Sequence, residues 1–169
     1  LSPSSAASDV YKRQDQLTDL YNRRYFYEYM TRNKIMSKHV NLFYIDLDNF
    51  KKINDEYGHQ AGDTVLVMVA GLLKQTFGAE FIARVGGDEF LAVVLGSKTD
   101  AELAILAERF LSSLQQTIAD NAKFSVLSAS IGIAVSNALT DVDLLIRQSD
   151  SALYEAKRNG KKQYKIYHK

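Results

Sequence analysis

Two apolar runs, EFIARV and EFLAVVL, are separated only by Gly86, Gly87 and Asp88. Each has the length and β-branched, aromatic content of a strand, and so short a connection permits only an antiparallel hairpin. Gly86-Gly87 suits a two-residue turn that needs positive φ. A turn does not need the two carboxylates that follow. Asp88 and Glu89 are therefore either ordinary polar residues of a hairpin tip or the carriers of some chemistry.

The remaining periodicities place this hairpin in a larger order. From Asn22 to Lys38 the positions Tyr25, Phe26, Tyr29, Met30 and Met36 follow helical spacing. VNLFYIDL, from Val40 to Leu47, is a strand with Phe43, Ile45 and Leu47 on one face. Asp46 and Asp48 fall on the other face, near its end. AGDTVLVMVAGLLKQTF carries Val65, Met68, Val69, Leu72, Leu73 and Thr76 along one helical face. After the hairpin, Leu103, Leu106, Ala107, Phe110 and Leu114 define a second amphipathic helix from about Asp100 to Ile118. KFSVLSASIGIAVS is a long strand in which Gly132 marks a bulge or a close approach. Thr140 or Asp141 caps a further helix ending at Gly160, and QYKIYH closes the chain as a short strand. The core order is β-α-β-β-α-β, the split-βαβ pattern of an α+β, ferredoxin-like domain. It predicts one antiparallel sheet with helices on one face and the other face free for chemistry.

Composition limits the function classes. The 169 residues suit a single domain, and a net charge of +1 offers no general attraction for nucleic acid or an anionic membrane. The absence of cysteine excludes disulfides and thiolate metal sites. No apolar run approaches the roughly 20 residues of a membrane span. Residues 1–14, LSPSSAASDVYKRQ, are Ser/Ala-rich and lack periodicity; they read as a disordered leader, a linker or a sequence of artificial origin. The folded domain is expected over residues 15–169.

Alternating acids on a strand are usually its solvated face, and that is the plain reading of Asp46 and Asp48. In a split-βαβ sheet, however, the first strand lies beside the hairpin, so Asp46 and Asp88 converge. Converging carboxylates repel unless a cation neutralises them, and an all-oxygen donor set favours a hard ion such as Mg²⁺. The segment NFKKINDEYGHQAGD, Asn49 to Asp63, has the composition of a surface loop. It also offers Lys51 and Lys52 to phosphates as point charges. Asp63 either caps the next helix or, with Asn54, presents donors and acceptors to a purine edge. His59 is a lone hydrogen-bonding histidine in this polar stretch. Lys157 and Lys161 straddle a helix end, where they answer the helix dipole or clamp a phosphate.

With these segments in view, the chain resembles the GGDEF domain, the diguanylate cyclase family. DQLTDLYNRR, FYIDLDNFKKINDEYGHQAGD, RVGGDEF, LSASIGIA and DSALYEAKRNGKKQ match in the family's order, from about Asp15 to Gln163. The resemblance implies a polymerase-palm-related fold and the condensation of two GTP molecules to cyclic di-GMP, with release of two pyrophosphates. It implies Mg²⁺ or Mn²⁺, two per active site, held by Asp46, the Leu47 carbonyl and Asp88, with Glu89 in support. Asn54 and Asp63 would read the guanine, with His59 beside the same nucleotide. The backbone at Asn49 and Phe50, with Lys51, Lys157 and Lys161, would hold the triphosphate. Arg84 would add charge stabilisation, and Asp88, ahead of Glu89, would accept the hydroxyl proton. A homodimer is implied because each domain binds one GTP, and an upstream sensory or receiver domain is a common family partner. The domain is expected to face the cytoplasm and to contact neither nucleic acid nor membrane.

Two features depart from the family pattern and one position retains it. Asp19 stands where the family often has glycine, a turn change expected to matter little. The family's Arg-x-x-Asp product site falls on Phe77 and Glu80, so product inhibition through it is not expected. Asp63 is retained, which favours GTP over ATP. Two other classes compete with the cyclase. A degenerate module would bind GTP or cyclic di-GMP and regulate a partner, although the retained acids Asp46, Asp88 and Glu89 weigh against it. A palm-like fragment acting on nucleic acid would need a basic groove, and near-neutral charge disfavours it.

Overall fold

The computed structural model describes residues 11–32, 35–78, 81–137 and 140–168. Six strands form one sheet: β1 (Tyr21–Asn22), β2 (Val40–Asp48), β3 (Phe81–Arg84), β4 (Glu89–Leu95), β5 (Ser128–Val135) and β6 (Tyr164–Ile166). Their spatial order is β1-β3-β4-β2-β5-β6. The four central strands are antiparallel to their neighbours, and the short β1 and β6 add in parallel at the two edges. Helices α1 (Arg23–Arg32), α2 (Phe50–Tyr57), α3 (His59–Phe77), α4 (Asp100–Ile118) and α5 (Val142–Arg158) complete the domain. The split-βαβ order expected from the sequence is present.

The sheet is covered on both faces. Phe43, Ile45 and Leu47 of β2 pack with α3 and α4, through Val69, Leu73, Phe110 and Leu114. Val40 and Leu42, on the opposite face, pack with Phe26 and Met30 of α1 and Leu145 of α5. The helices added outside the βαββαβ core thus lie over the face expected to be free. Among the described residues, that face keeps a cleft beside α5, lined by Asp46, Glu89, Arg147, Asp150, Tyr154 and Lys157. Gly132 explains how α5 comes so close. A Cβ there would fall on the backbone of Ser149 and Leu153, so the glycine is a close approach rather than a bulge, and the β2–β5 register runs through it unbroken.

Local signals account for several boundaries. The Thr99 side chain and Glu102 form a capping box at the start of α4. Asp141 caps α5, its carboxylate accepting from the Leu144 N–H at 2.7 Å. Asp63 caps nothing: it is the fifth residue of α3, which starts after Gly58. Asp19 adopts φ 56°, the left-handed conformation that a glycine supplies without strain and that Asp tolerates better than most residues. Most of the expected leader, residues 1–10, lies outside the described residues. Arg13 and Lys12 meet Asn22: the Asn22 N–H donates to the Arg13 carbonyl at 2.8 Å and its side chain to the Lys12 carbonyl at 2.9 Å.

Candidate active site

Asp46 stands near the carboxyl end of β2, directly opposite Glu89 of β4 and Ser130 of β5. One carboxylate oxygen, Oδ2, takes a bond from Lys157 Nζ at 2.5 Å, from the last turn of α5. The other, Oδ1, is buried and has no hydrogen-bond partner among the described residues. Burial pushes the Asp46 pKa up; the Lys157 bond opposes this, and the nearby charges of Asp88 and Asp48 add to it. Asp88 is likewise pushed up, first by burial and then by the charge of Glu89, against the pull of its own backbone N–H, Lys157 and Arg84. Its carbonyl accepts from the Leu47 N–H at 3.2 Å, which ties the hairpin tip to β2. Glu89 Oε1 accepts from the Tyr44 hydroxyl at 3.3 Å, and that half-buried, acid-flanked phenol is held well above its ordinary pKa.

The hairpin tip differs from the two-residue turn read from Gly-Gly. The Val85 N–H donates to the Glu89 carbonyl at 2.9 Å, so residues between them form a longer loop, and neither glycine has positive φ. Gly86 matters for another reason, because a Cβ there would collide with the Glu89 carboxylate. Arg84 closes the loop. Its Nε and Nη2 donate to the Gly87 carbonyl at 3.1 and 2.9 Å, and its Nη1 donates to both Asp15 oxygens at 3.2 and 3.1 Å. Burial works to raise the Asp15 pKa, but bonds from Thr18 and the Arg84 charge outweigh it and hold it low. Those bonds let Arg84 shape the tip and tie it to Asp15.

The Asn49–Asp63 stretch is helical, not a loop. Phe50 and Ile53 bury one side of α2, and only Gly58, at φ 84°, interrupts the path into α3. Asn54 on α2 and Asp63 on α3 therefore stand on two successive helices. Gly62 lets the Asn54 side chain pack against α3, since a Cβ at this position would overlap it. His59 is exposed at the first turn of α3. Lys51 points to solvent and pairs with Asp55 at 2.6 Å, away from the carboxylates. Lys161 Nζ lies 3.3 Å from Asn49 Oδ1, which brings the chain after α5 to the start of α2.

Some participants escaped the sequence reading. Asp48 is 1% exposed and bonded to Ser128, Ser130 and the Lys162 backbone, far from the solvated face first suggested for it. The alternating serines of LSASIG, paired in register with Asp46 and Asp48, carried that signal. Gly62, Tyr44 and Asp15 gave no local signal. Phe77 of the expected product-site pattern is buried against Phe43, and Glu80 lies outside the described residues.

Whether a hard divalent cation fits can be tested on Asp46. A desolvated carboxylate with an orphaned oxygen, crowded by a second acid and bridged by a lysine, is a donor set short of positive charge. The site fits such an ion. Among the described residues, no group of three His, Cys, Asp or Glu side chains could hold a metal without further donors. No described helix is long and apolar enough to cross a membrane.

Fold and site together define a palm-like sheet domain that gathers carboxylates and lysines at one end of its first core strand. Residues 12–163 match the diguanylate cyclase GGDEF domain, and the chain belongs to that family. It is 37% identical over 157 residues to the diguanylate cyclase DgcS of Shewanella oneidensis, covering 90% of this chain and 52% of that protein. It thus spans about half of that relative's length. The structure of an active GGEEF domain of a diguanylate cyclase from Vibrio cholerae superposes with a TM-score of 0.73 at 32% identity, over 91% of this chain and 99% of that one. The coiled coil and GGDEF domain of DgcB from Caulobacter crescentus, solved with c-di-GMP, gives 0.88 over 96% and 90%. At 24% identity it speaks for the fold alone.

Proposed function

We propose that the domain is a diguanylate cyclase that condenses two GTP molecules into cyclic di-GMP across a homodimer. The observation that carries this reading is the convergence of Asp46, Asp88 and Lys157, with Asp46 Oδ1 buried and unpartnered. In each half-reaction the 3′-oxygen of one GTP forms a bond to the α-phosphorus of the other. The bond to pyrophosphate breaks, and the hydroxyl proton passes to the Asp88 carboxylate. Burial and the Glu89 charge raise the proton affinity of Asp88, which suits it to that transfer.

Asp46, the Leu47 carbonyl, Asp88 and Glu89 would hold Mg²⁺ or Mn²⁺, two per site, and these ions when bound supply Lewis-acid neutralisation of phosphate charge. Lys157 and Lys161 bind the triphosphate as cations, with the free backbone N–H groups at Asn49 and Phe50 opening α2. Asn54 and Asp63 grip the guanine, with His59 beside the same nucleotide. Lys51 contributes attraction from solvent. Because each domain presents one GTP, two copies must meet face to face. An upstream sensory or receiver domain is the partner such pairing calls for, and GTP places the reaction in the cytoplasm.

The test is incubation with GTP and Mg²⁺ at high protein concentration, with products separated by chromatography. Cyclic di-GMP is expected from the wild type and none from Asp88→Ala with an unchanged circular dichroism spectrum. No product from a demonstrably dimeric wild type would overturn the cyclase reading in favour of a regulatory nucleotide-binding module.

A further inference from the structure

Asp48 shares a strand face with Asp46 but has a different environment. Ser128 Oγ donates to Oδ2 at 2.8 Å, Ser130 Oγ to Oδ1 at 2.8 Å and Oδ2 at 3.0 Å, and the Lys162 backbone N–H to Oδ2 at 3.2 Å. A carboxylate this deeply buried is costly unless its lone pairs are taken up, and here hydroxyls and an amide do so. The amide belongs to an unusual segment. Gly160, Lys161 and Lys162 take φ values of 110°, 64° and 52°, three successive left-handed residues, two of them lysines. Left-handed backbone is unfavourable for residues with a Cβ and persists where surroundings enforce it. Several bonds hold it: Lys161 N–H to the Ala156 carbonyl at 3.1 Å, Gln163 Nε2 to the Asn159 and Lys161 carbonyls at 2.8 and 3.1 Å, and Lys162 N–H to Asp48, the one of these that ties the curl to β2.

This curl turns the chain back after α5 and delivers Lys161 Nζ to Asn49. Asn49 follows Asp48, is itself left-handed at φ 63°, and donates to the Val126 carbonyl at 2.8 Å. One buried carboxylate therefore joins the strand that carries Asp46 to the turn that carries Lys161.

We infer that Asp48 is a positioning residue of the triphosphate site, holding the 160–162 curl so that Lys161 stands over the start of α2. The inference rests on the GTP reading above. It predicts an effect confined to the phosphates, since Asn54 and Asp63 lie on other elements.

The experiment measures binding of guanosine 5′-(α,β-methylene)triphosphate and of GMP, with Mg²⁺, by calorimetry. It compares wild type, Lys161→Ala, Asp48→Asn and the double variant, with Ser128→Ala/Ser130→Ala as a milder loosening should Asp48→Asn unfold. Asp48→Asn and Lys161→Ala are each expected to weaken the triphosphate analogue about tenfold, the scale of one charge-assisted contact. GMP affinity should change by less than about twofold, and the double variant should bind no worse than either single one. The serine pair should weaken the analogue alone, by a smaller factor. Additive losses in the double variant, or equal losses for GMP and the analogue, overturn the Asp48 inference while leaving GTP binding intact. A wild type that binds neither nucleotide overturns the GTP reading and this inference with it.

Discussion

Gly132→Ala tests whether the close contact between α5 and β5 sets the active-site geometry. The added Cβ would land on the Ser149 carbonyl and against the Leu153 backbone. Both neighbours are main chain, so no rotamer change relieves the overlap, and the helix must lift by on the order of 1 Å to restore ordinary contact distances. Overpacking of this kind costs ~3 kcal/mol, the upper part of its usual range. For a chain of this size that corresponds to a fall in Tm of roughly 6–12 °C. Lys157 lies eight residues beyond Ser149 on the same helix, so the displacement reaches the Lys157–Asp46 bond of 2.5 Å. Misplacement by 1 Å lowers turnover by about two orders of magnitude. Thermal unfolding followed by circular dichroism gives the first quantity, and initial rates of cyclic di-GMP formation in protein still folded give the second. A variant with Tm within about 2 °C of wild type and undiminished turnover would refute the argument that glycine is required by backbone contact.

Other perturbations separate stability from chemistry. Asp88→Asn should raise Tm at pH 7.5, because a carboxyl whose folded pKa is raised favours the fold only while protonated. That contribution is complete below its ordinary value of 3.8 and is lost as pH rises through the elevated one, so the variant's advantage should vanish in acid. A variant less stable than wild type at neutral pH would contradict the burial-driven shift. Arg84→Ala leaves Asp15 and the Gly87 carbonyl without their donor and should cost about 1–3 kcal/mol in urea unfolding. Full stability in Arg84→Lys would show that the fork geometry is unimportant. Added cyclic di-GMP should not slow the initial rate at submicromolar levels, since Phe77 is buried; such inhibition, with product bound at residues 77–80, would be decisive against it. ATP should not be incorporated alongside GTP, and comparable incorporation would remove Asp63 from guanine recognition.

How far the sequence could be read varies with where the deciding contacts lie. The helix from Asp100 to Ile118 is legible from its apolar stripe, because that signal is local; the Thr99–Glu102 capping box then sets its start. The stretch from Asn49 to Asp63 is not legible in this way. Its Asn, Asp and Gly content suggests a loop, and only Phe50 and Ile53 hint at the helical face that tertiary burial stabilises. That difference bears on the proposed guanine contact, since Asn54 and Asp63 sit on two helices, which hold side chains more rigidly than a loop would. The covered second face escaped for a related reason: nothing in the order of elements says on which side the outer helices will dock.

Asp46 and Asp48 make the limit sharpest. They are the same residue type, on the same strand and face, two positions apart, and both pair with serines of β5. On its other side Asp46 meets Glu89 and the hairpin tip, which crowd it with negative charge and leave one oxygen unpartnered. Asp48 lies one pleat beyond the paired end of β4, so Lys162 and the serines enclose it and every bond it needs is made. One acid, paired with Lys157, keeps an unpartnered oxygen among the described residues, and the lone pairs of the other are taken up by hydrogen bonds. That difference is set by where β4 stops pairing, about 40 residues away in sequence, and not by anything in the letters D-L-D.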